Sequence, residues 1–281
     1  MRFILSSFWL LITAPFRWIT NIFSVIRAEE PVDVPLVDSF QNAVENPQDL
    51  FVHLNALRGH LFRALIFLAL FTVLSFAFAS RIIDFLAQPI GGIGELVAID
   101  PTEPIGVFMR VSLLSGFALA FPFIALEVWQ FVAPGLTKAS RNFSLAAIPI
   151  ATLFFLGGMS FAYFVMMPRA LPFLLDFMGL TTQVRPSSYI AFVTGLIFWI
   201  GVAFEFPLLI YVLARIGLIH GKTLSDQWRL AIVIMAVAAA AITPTVDPVN
   251  MALVMGPMIV LYFLSIGLAY LAQRGRARQI A

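Results

Sequence analysis

The chain has 281 residues, of which 61% are hydrophobic and 11% charged; its net charge is +2 and it has no cysteine. Soluble domains carry charge on about a quarter of their residues, so these apolar runs define an integral membrane protein, and disulfide and thiolate chemistry are excluded. The small net charge decides little, because in a membrane protein the distribution of charge matters more than its sum.

Residues 1–27, MRFILSSFWLLITAPFRWITNIFSVIR, are apolar but interrupted by Pro15 and Arg17. Three readings stay open. In the first, an interfacial helix or hairpin lets Arg2, Arg17 and Arg27 reach the headgroups while Phe and Trp lie among them. The second is a seventh span. The third is a signal peptide, although its small-residue cleavage pattern is poor. Residues 28–50 hold six acids and no base and read as a flexible cytoplasmic tether. Residues 51–273 read as the membrane domain, and 274–281 as a basic cytoplasmic tail.

Six apolar segments are expected at roughly 61–79, 105–132, 143–167, 189–216, 229–242 and 249–270. A helix rises about 1.5 Å per residue and a bilayer core is about 30 Å thick. The first four segments can therefore span it. The fifth, about 20 Å long, needs a thinned bilayer or a place behind other helices. The segments are too long and too uniformly apolar for barrel strands, so the fold class is an all-α integral membrane protein, a bundle of six transmembrane helices. Pro122, Pro149, Pro207 and Pro257 fall within the spans. A proline inside a helix removes a hydrogen bond and bends it, which points to a curved bundle. No internal repeat marks an inverted-repeat transporter.

Basic residues set the expected orientation. Arg58, Arg63, Lys138, Arg141, Arg215, Lys222, Arg229, Arg274, Arg276 and Arg278 flank one side, and Arg81, Arg110, Arg169 and Arg185 the other. The richer side is assigned to the cytoplasm, with both ends of the six-helix unit. The opposite side receives loops at about 80–104 and 168–188 and a tight turn, TPTVDP. The stretch QPIGGIGELVAIDPTEP, rich in Gly, Pro and acids, reads as a folded extracytoplasmic cap.

Enzyme signatures are missing. There is no HExxH, and His53, His60 and His220 all fall outside the predicted spans, which argues against an intramembrane zinc site. No Gly-x-Ser-Gly with a partner histidine and no P-loop occur, so no cofactor, nucleotide or nucleic-acid partner is expected. Three acids remain in apolar surroundings: Glu127, Glu205 and Asp247. Glu127 can lie near the cytoplasmic end of its span, where a charge is tolerated. Asp247, between two prolines, suits a turn. Glu205, in GVAFEFP, is the hardest to dismiss. Burying it charged and unpaired costs several kcal/mol, so it must be protonated and hydrogen-bonded, or must face water or a partner.

Several phrases then align in order: FVHLNALRGHL, DPTEPIGVF, AFPFIALEVWQFVAPGLTKASR, LFFLGGMSFAYFVMMPRALPFLLDF, SYIAFVTGLIFWIGVAFEFPLLIYVLARIG and AITPTVDPVNMALVMGPMIVLYFLS. Together, from about residue 50 to 271, they resemble the TatC family, the multi-span subunit of the twin-arginine (Sec-independent) protein translocase. The resemblance implies a glove-like six-helix bundle with short fifth and sixth helices and a structured cap. It also implies binding of twin-arginine signal peptides of folded precursors, assembly with TatA/TatB-type single-span subunits into homo- or hetero-oligomers in the bacterial cytoplasmic membrane, and transport driven by the proton-motive force.

Recognition of a guanidinium pair favours carboxylates in bidentate geometry. The family pattern supplies two: one in HLxELR, and one shortly after PGL in the second cytoplasmic loop. Here those positions are Ala56 and Ser140, with the basic neighbours Arg58 and Arg141 retained. Glu127 stands where the family commonly has glutamine. With Glu45 and Asp49 it is a candidate for a displaced acidic site. Gly201, Glu205, Pro207, Pro244, Asp247, Pro134, Tyr163 and Pro168 fit the pattern. Two further readings are carried: a divergent TatC paralogue without signal recognition, acting as a structural or regulatory partner, and a solute transporter using Glu205 and Glu127 as a proton relay.

Overall fold

The computed structural model describes residues 47–133, 138–175, 183–243 and 248–280. Helix α1 is Pro47–Ser75, α2 Ala79–Ala87 and α3 Glu103–Val132. Helix α4, Lys138–Phe161, passes through a π-helical turn at Ala162–Met166 into α5, Met167–Leu175. Helices α6, Pro186–Ile216, α7, Gly221–Asp226, α8, Trp228–Ile242, and α9, Pro248–Ile280, complete the order. The only extended pairing among the described residues is one bridge, Leu96 to Val184.

Five stretches are long and apolar enough to cross a membrane: Asn55–Ser75, Glu103–Val132, Ala147–Leu175, Pro186–Arg215 and Pro248–Arg274. Helix α8 has 15 residues, about 22 Å, and is the short apolar element expected at the fifth position. The chain is thus an all-α, multi-pass membrane protein. The readings of residues 1–27 and of most of 28–50 lie outside the described residues.

Some boundaries differ from the expectation for identifiable reasons. Helix α1 starts at Pro47, a residue pre-organised for a first helical turn, and the apolar span within it begins at Asn55. His60, placed outside the first span by hydropathy, therefore lies inside it. The loop expected from residue 80 begins with helix α2, and that expected from residue 168 begins with the helical residues through Leu175. Pro168 and Pro172 are accommodated there just after the π turn, where the hydrogen-bond pattern is already shifted and the Met167 N–H reaches the Ala162 carbonyl. The sixth apolar helix, α9, runs 33 residues and is not short. Its basic tail contains no proline, and cations suit a helix C-terminus.

The chain divides into two compact units. The first comprises the described residues through Ala64 together with Ala125–Ile148. Its core is Leu126, Trp129 and Ala133, packed by Leu145 and Ile148.

The second unit comprises Leu65–Ile124 and the residues from Pro149 onward. Its most extensive helix pairing is α6 on α9, with α7 and α8 also against α9. Two tyrosines hold α2 in place. The Tyr163 hydroxyl donates to the Phe85 carbonyl at 2.6 Å, and the Tyr189 hydroxyl to that of Leu86 at 2.7 Å. Both bonds fall on carbonyls of the last turn of α2, where the Phe85 carbonyl also accepts from the Gln88 N–H. Helices α4 and α6 approach closely at Gly158 and Gly201: a Cβ on Gly158 would lie 2.9 Å from the Gly201 Cα and 2.8 Å from the Phe204 ring.

The starts of α3 and α6 are tied to each other. Arg185 donates from Nε to Glu103 Oε1 at 2.8 Å, and its Nη2 reaches the same oxygen. Val97 N–H bonds the Val184 carbonyl at 3.0 Å. Asp100 accepts from the Thr102 hydroxyl at 2.6 Å and from its N–H at 2.8 Å. These bonds, with a smaller contribution from the nearby Arg185 charge, hold the Asp100 carboxyl below its ordinary value.

Candidate functional site

Two carboxylates sit inside the apolar helices, one in each unit. The first is Glu127, five residues from the end of α3 and 1% exposed. Arg63 Nε lies 2.9 Å from its Oε1 and 3.0 Å from its Oε2. His60 Nδ1 lies 2.7 Å from Oε2 and 2.8 Å from Arg63 Nη2. His60 and Arg63 are three residues apart on α1, so helical spacing places both on one face. The His60 ring also meets Phe131 edge-on at 6.0 Å between centroids.

His60 Nδ1 has two calls on it. With a proton it donates to Glu127; without one it accepts from Arg63. Both arrangements leave Glu127 bonded to the Arg63 guanidinium, which offsets the cost of a buried carboxylate. The Arg63 side chain is 42% exposed. The acid is thus buried beneath a guanidinium that itself reaches the surface.

Ala56 and Arg58 are exposed on the early turns of α1. Ser140 and Arg141 lie in the first turn of α4. Glu45, Pro244 and Asp247 lie outside the described residues, and Asp49 falls in the first turn of α1. Sequence reasoning singled out Glu127 but missed that it is already partnered. The available signal was His60 and Arg63, two polar residues at i and i+3 where α1 turns from its polar first half into an apolar run.

The second carboxylate is Glu205, half-buried near the middle of α6, whose Oε1 has no hydrogen-bond partner. It faces a cavity of about 560 Å³ walled by α6, α8 and α9 with Leu224 of α7, lined mainly by apolar side chains such as Phe206, Leu209, Ile234 and Met258, with Gln227 and Tyr262 among them. Tyr262 on the same wall donates to the Leu224 carbonyl at 2.7 Å. Pro207 is fully buried. It has no N–H, so the Ala203 carbonyl one turn earlier loses its helical donor, and Ala203 lines the same cavity. A carboxylate with one oxygen unpaired and a residue whose carbonyl lacks its usual helical donor therefore line one largely apolar groove. No cluster of three or more histidine, aspartate or glutamate side chains able to hold a metal occurs among the described residues.

Five helices long and apolar enough to cross a membrane, with a shorter apolar sixth, define a multi-span membrane protein, and it carries a buried carboxylate bonded to a guanidinium and a largely apolar groove with an acid on its wall. The family model for the Sec-independent protein translocase protein TatC matches residues 52–257. A TatC of Carboxydothermus hydrogenoformans is 32% identical over 228 residues, covering 80% of this chain and 94% of its own length. TatCd of Bacillus subtilis is 33% identical, covering 82% of this chain and 95% of its own. The crystal structure of a twin-arginine translocase receptor, TatC, is 33% identical with a TM-score of 0.71, covering 78% of this chain and 99% of that one. The chain belongs to the TatC family. It is a translocase protein of the membrane, and the family is not one of enzymes.

Proposed function

We propose that the chain is the receptor subunit of a twin-arginine translocase and that Glu127 serves in place of the two missing carboxylates at Ala56 and Ser140. The observation that carries this is the pair of contacts from Arg63 to both oxygens of Glu127, at 2.9 and 3.0 Å. The carboxylate already binds a guanidinium and is desolvated enough to make that contact strong. An incoming arginine takes the position of Arg63, whose partly exposed side chain swings outward. His60 retains a hydrogen bond to the acid during the exchange. Lysine, a point charge with no planar fork, fits this seat poorly, which gives the preference for arginine over lysine.

Glu205 then contacts a single-span partner of the TatA/TatB type. A transmembrane helix fills the apolar groove and brings a donor to Glu205, which removes the cost of a lone acid in lipid. The excess of basic residues on one set of loops supports placing both ends of the helical unit in the cytoplasm. The paralogue and transporter readings have no observation in their favour.

The test is binding of a fluorescent signal peptide, with Arg-Arg or Lys-Lys at the paired position, to the purified chain. The wild type is expected to prefer Arg-Arg by roughly tenfold or more, as loss of one charge-assisted contact implies. Glu127→Gln should erase that preference while its thermal unfolding shows an intact fold. A folded Glu127→Gln protein with the wild-type preference overturns the assignment.

A further inference from the structure

A second groove lies away from both carboxylates, in the second unit. Its walls are two helical stripes. Arg110, Leu113, Leu114 and Phe117 occupy positions i, i+3, i+4 and i+7 of α3; Ala191, Thr194, Gly195 and Phe198 repeat the spacing on α6, and Leu68 of α1 joins the lining. The cavity measures about 290 Å³. It is open at Gly195, where an added Cβ would meet nothing within 4 Å, and Leu113 on its rim is exposed.

The groove has a direction. Glu103 and Arg185 bond at the starts of α3 and α6, so both stripes run inward from the same membrane side. At the inner end Phe117 and Phe198 meet edge to face at 5.1 Å. At the outer end stands Arg110, exposed, with no carboxylate bonded to it among the described residues. Helix α3 has 30 residues and is about 45 Å long, close to the ~40–45 Å of a bilayer with its headgroups. Arg110 is seven residues from its start, about 10 Å in, near the boundary between headgroups and hydrocarbon.

We propose that this groove seats one anionic phospholipid, its phosphate on the Arg110 guanidinium and one acyl chain between the α3 and α6 stripes. Three observations act together. A guanidinium lacks a protein counter-ion at headgroup depth, where phosphate oxygens supply the bidentate acceptors it favours. Below it the lining is apolar apart from Thr194, whose hydroxyl is bonded to the Ile190 carbonyl of its own helix, in the order a phospholipid presents its own parts. The small residues Ala191 and Gly195 leave a furrow that side chains of the same helix do not fill. A net negative headgroup suits the site because the zwitterionic alternative brings its own ammonium close to Arg110. The bound lipid fills the gap between α3 and α6 where these helices otherwise leave space.

Native mass spectrometry of the full chain in detergent tests this, with phosphatidylglycerol, phosphatidylcholine and diacylglycerol of matched chains as probes. The wild type should retain one phosphatidylglycerol more tightly than either other lipid. Arg110→Gln should weaken that retention roughly tenfold, as loss of a charge-assisted contact implies. Gly195→Leu fills the furrow while keeping Arg110 and should weaken it as well. Equal retention of the three lipids by the wild type overturns the proposal. So does unchanged retention in Arg110→Gln. An effect of Arg110→Gln with none from Gly195→Leu also overturns it, because the arginine would then attract headgroups without a seat beneath.

Discussion

Gly157 and Gly158 are adjacent in α4, yet the structure predicts opposite consequences for the same substitution. Gly157 is exposed, and a Cβ there would meet nothing within 4 Å. Gly158 is buried, and its Cβ would lie 2.9 Å from the Gly201 Cα, 2.9 Å from the Ile200 carbonyl oxygen and 2.8 Å from the Phe204 ring. Two of those three atoms are backbone, so relief requires α4 and α6 to separate. Alanine is the better helix former by about 1 kcal/mol in water. In a membrane this gain largely cancels, because separated spans remain helical. Packing is then what differs, and small residues at such crossings let helices approach. Gly157→Ala should change stability by less than about 0.5 kcal/mol. Gly158→Ala should cost about 1–3 kcal/mol, the usual range for overpacking. Gly201→Ala should resemble the latter: its Cβ would lie 2.8 Å from the ring of Phe155, which is buried and stacked on Phe121 at 4.3 Å and so has little room to turn. The assay is unfolding of each variant in micelles by graded denaturing detergent. If Gly158→Ala unfolds together with Gly157→Ala, the close α4–α6 crossing is wrong.

Other predictions address the charged groups. Arg63→Gln removes the internal guanidinium from Glu127; it should raise Arg-Arg peptide affinity and, after screening of the partly exposed Arg63, cost about 1–2 kcal/mol of stability, both measurable on one preparation. Glu205→Ala should abolish co-purification of a single-span partner without lowering the melting temperature, since the Glu205 Oε1 has no bond to lose; a large drop in melting temperature would assign the residue to the fold. The Asp100 carboxyl is held below its ordinary value of 3.8 by its Thr102 bonds. Its contribution is therefore present above about pH 4 and lost as pH falls below it. The protection of the Val97 amide, taken relative to its intrinsic exchange rate at each pH, should fall on acidification in the wild type and lose that pH step in Asp100→Ala.

Much of this was legible in the residues because lipid imposes a simple rule: a spanning segment must be apolar and internally hydrogen-bonded. The runs around 105–132 and 189–216 therefore predicted α3 and α6 closely. Glu205 stood out because charge inside such a run demands a reason, and the structure places it on a groove also lined by Ala203, whose carbonyl Pro207 leaves without its usual helical donor. Features depending on distant pairs were not legible. Glu127 and Arg63 are 64 positions apart, and nothing local says that one neutralises the other. The helical residues through Leu175 were missed because prolines at 168 and 172 read as a loop. The helix nonetheless runs through both, just after a π turn at Ala162–Met166 that periodicity does not reveal. Arg110 read only as a flanking charge, since its meaning depends on a furrow made by residues of α6.

The central claim is that a chain lacking acids at Ala56 and Ser140 reads paired arginines through Glu127. The most direct measurement is photocrosslinking in inverted membrane vesicles, with probes at Ala56 and Ser140 and either Glu127 or Gln at position 127. The account predicts a crosslink to an Arg-Arg precursor, absent with its Lys-Lys counterpart and lost when Glu127 is replaced. A crosslink that persists in Glu127→Gln, or that forms equally with Lys-Lys, would contradict it.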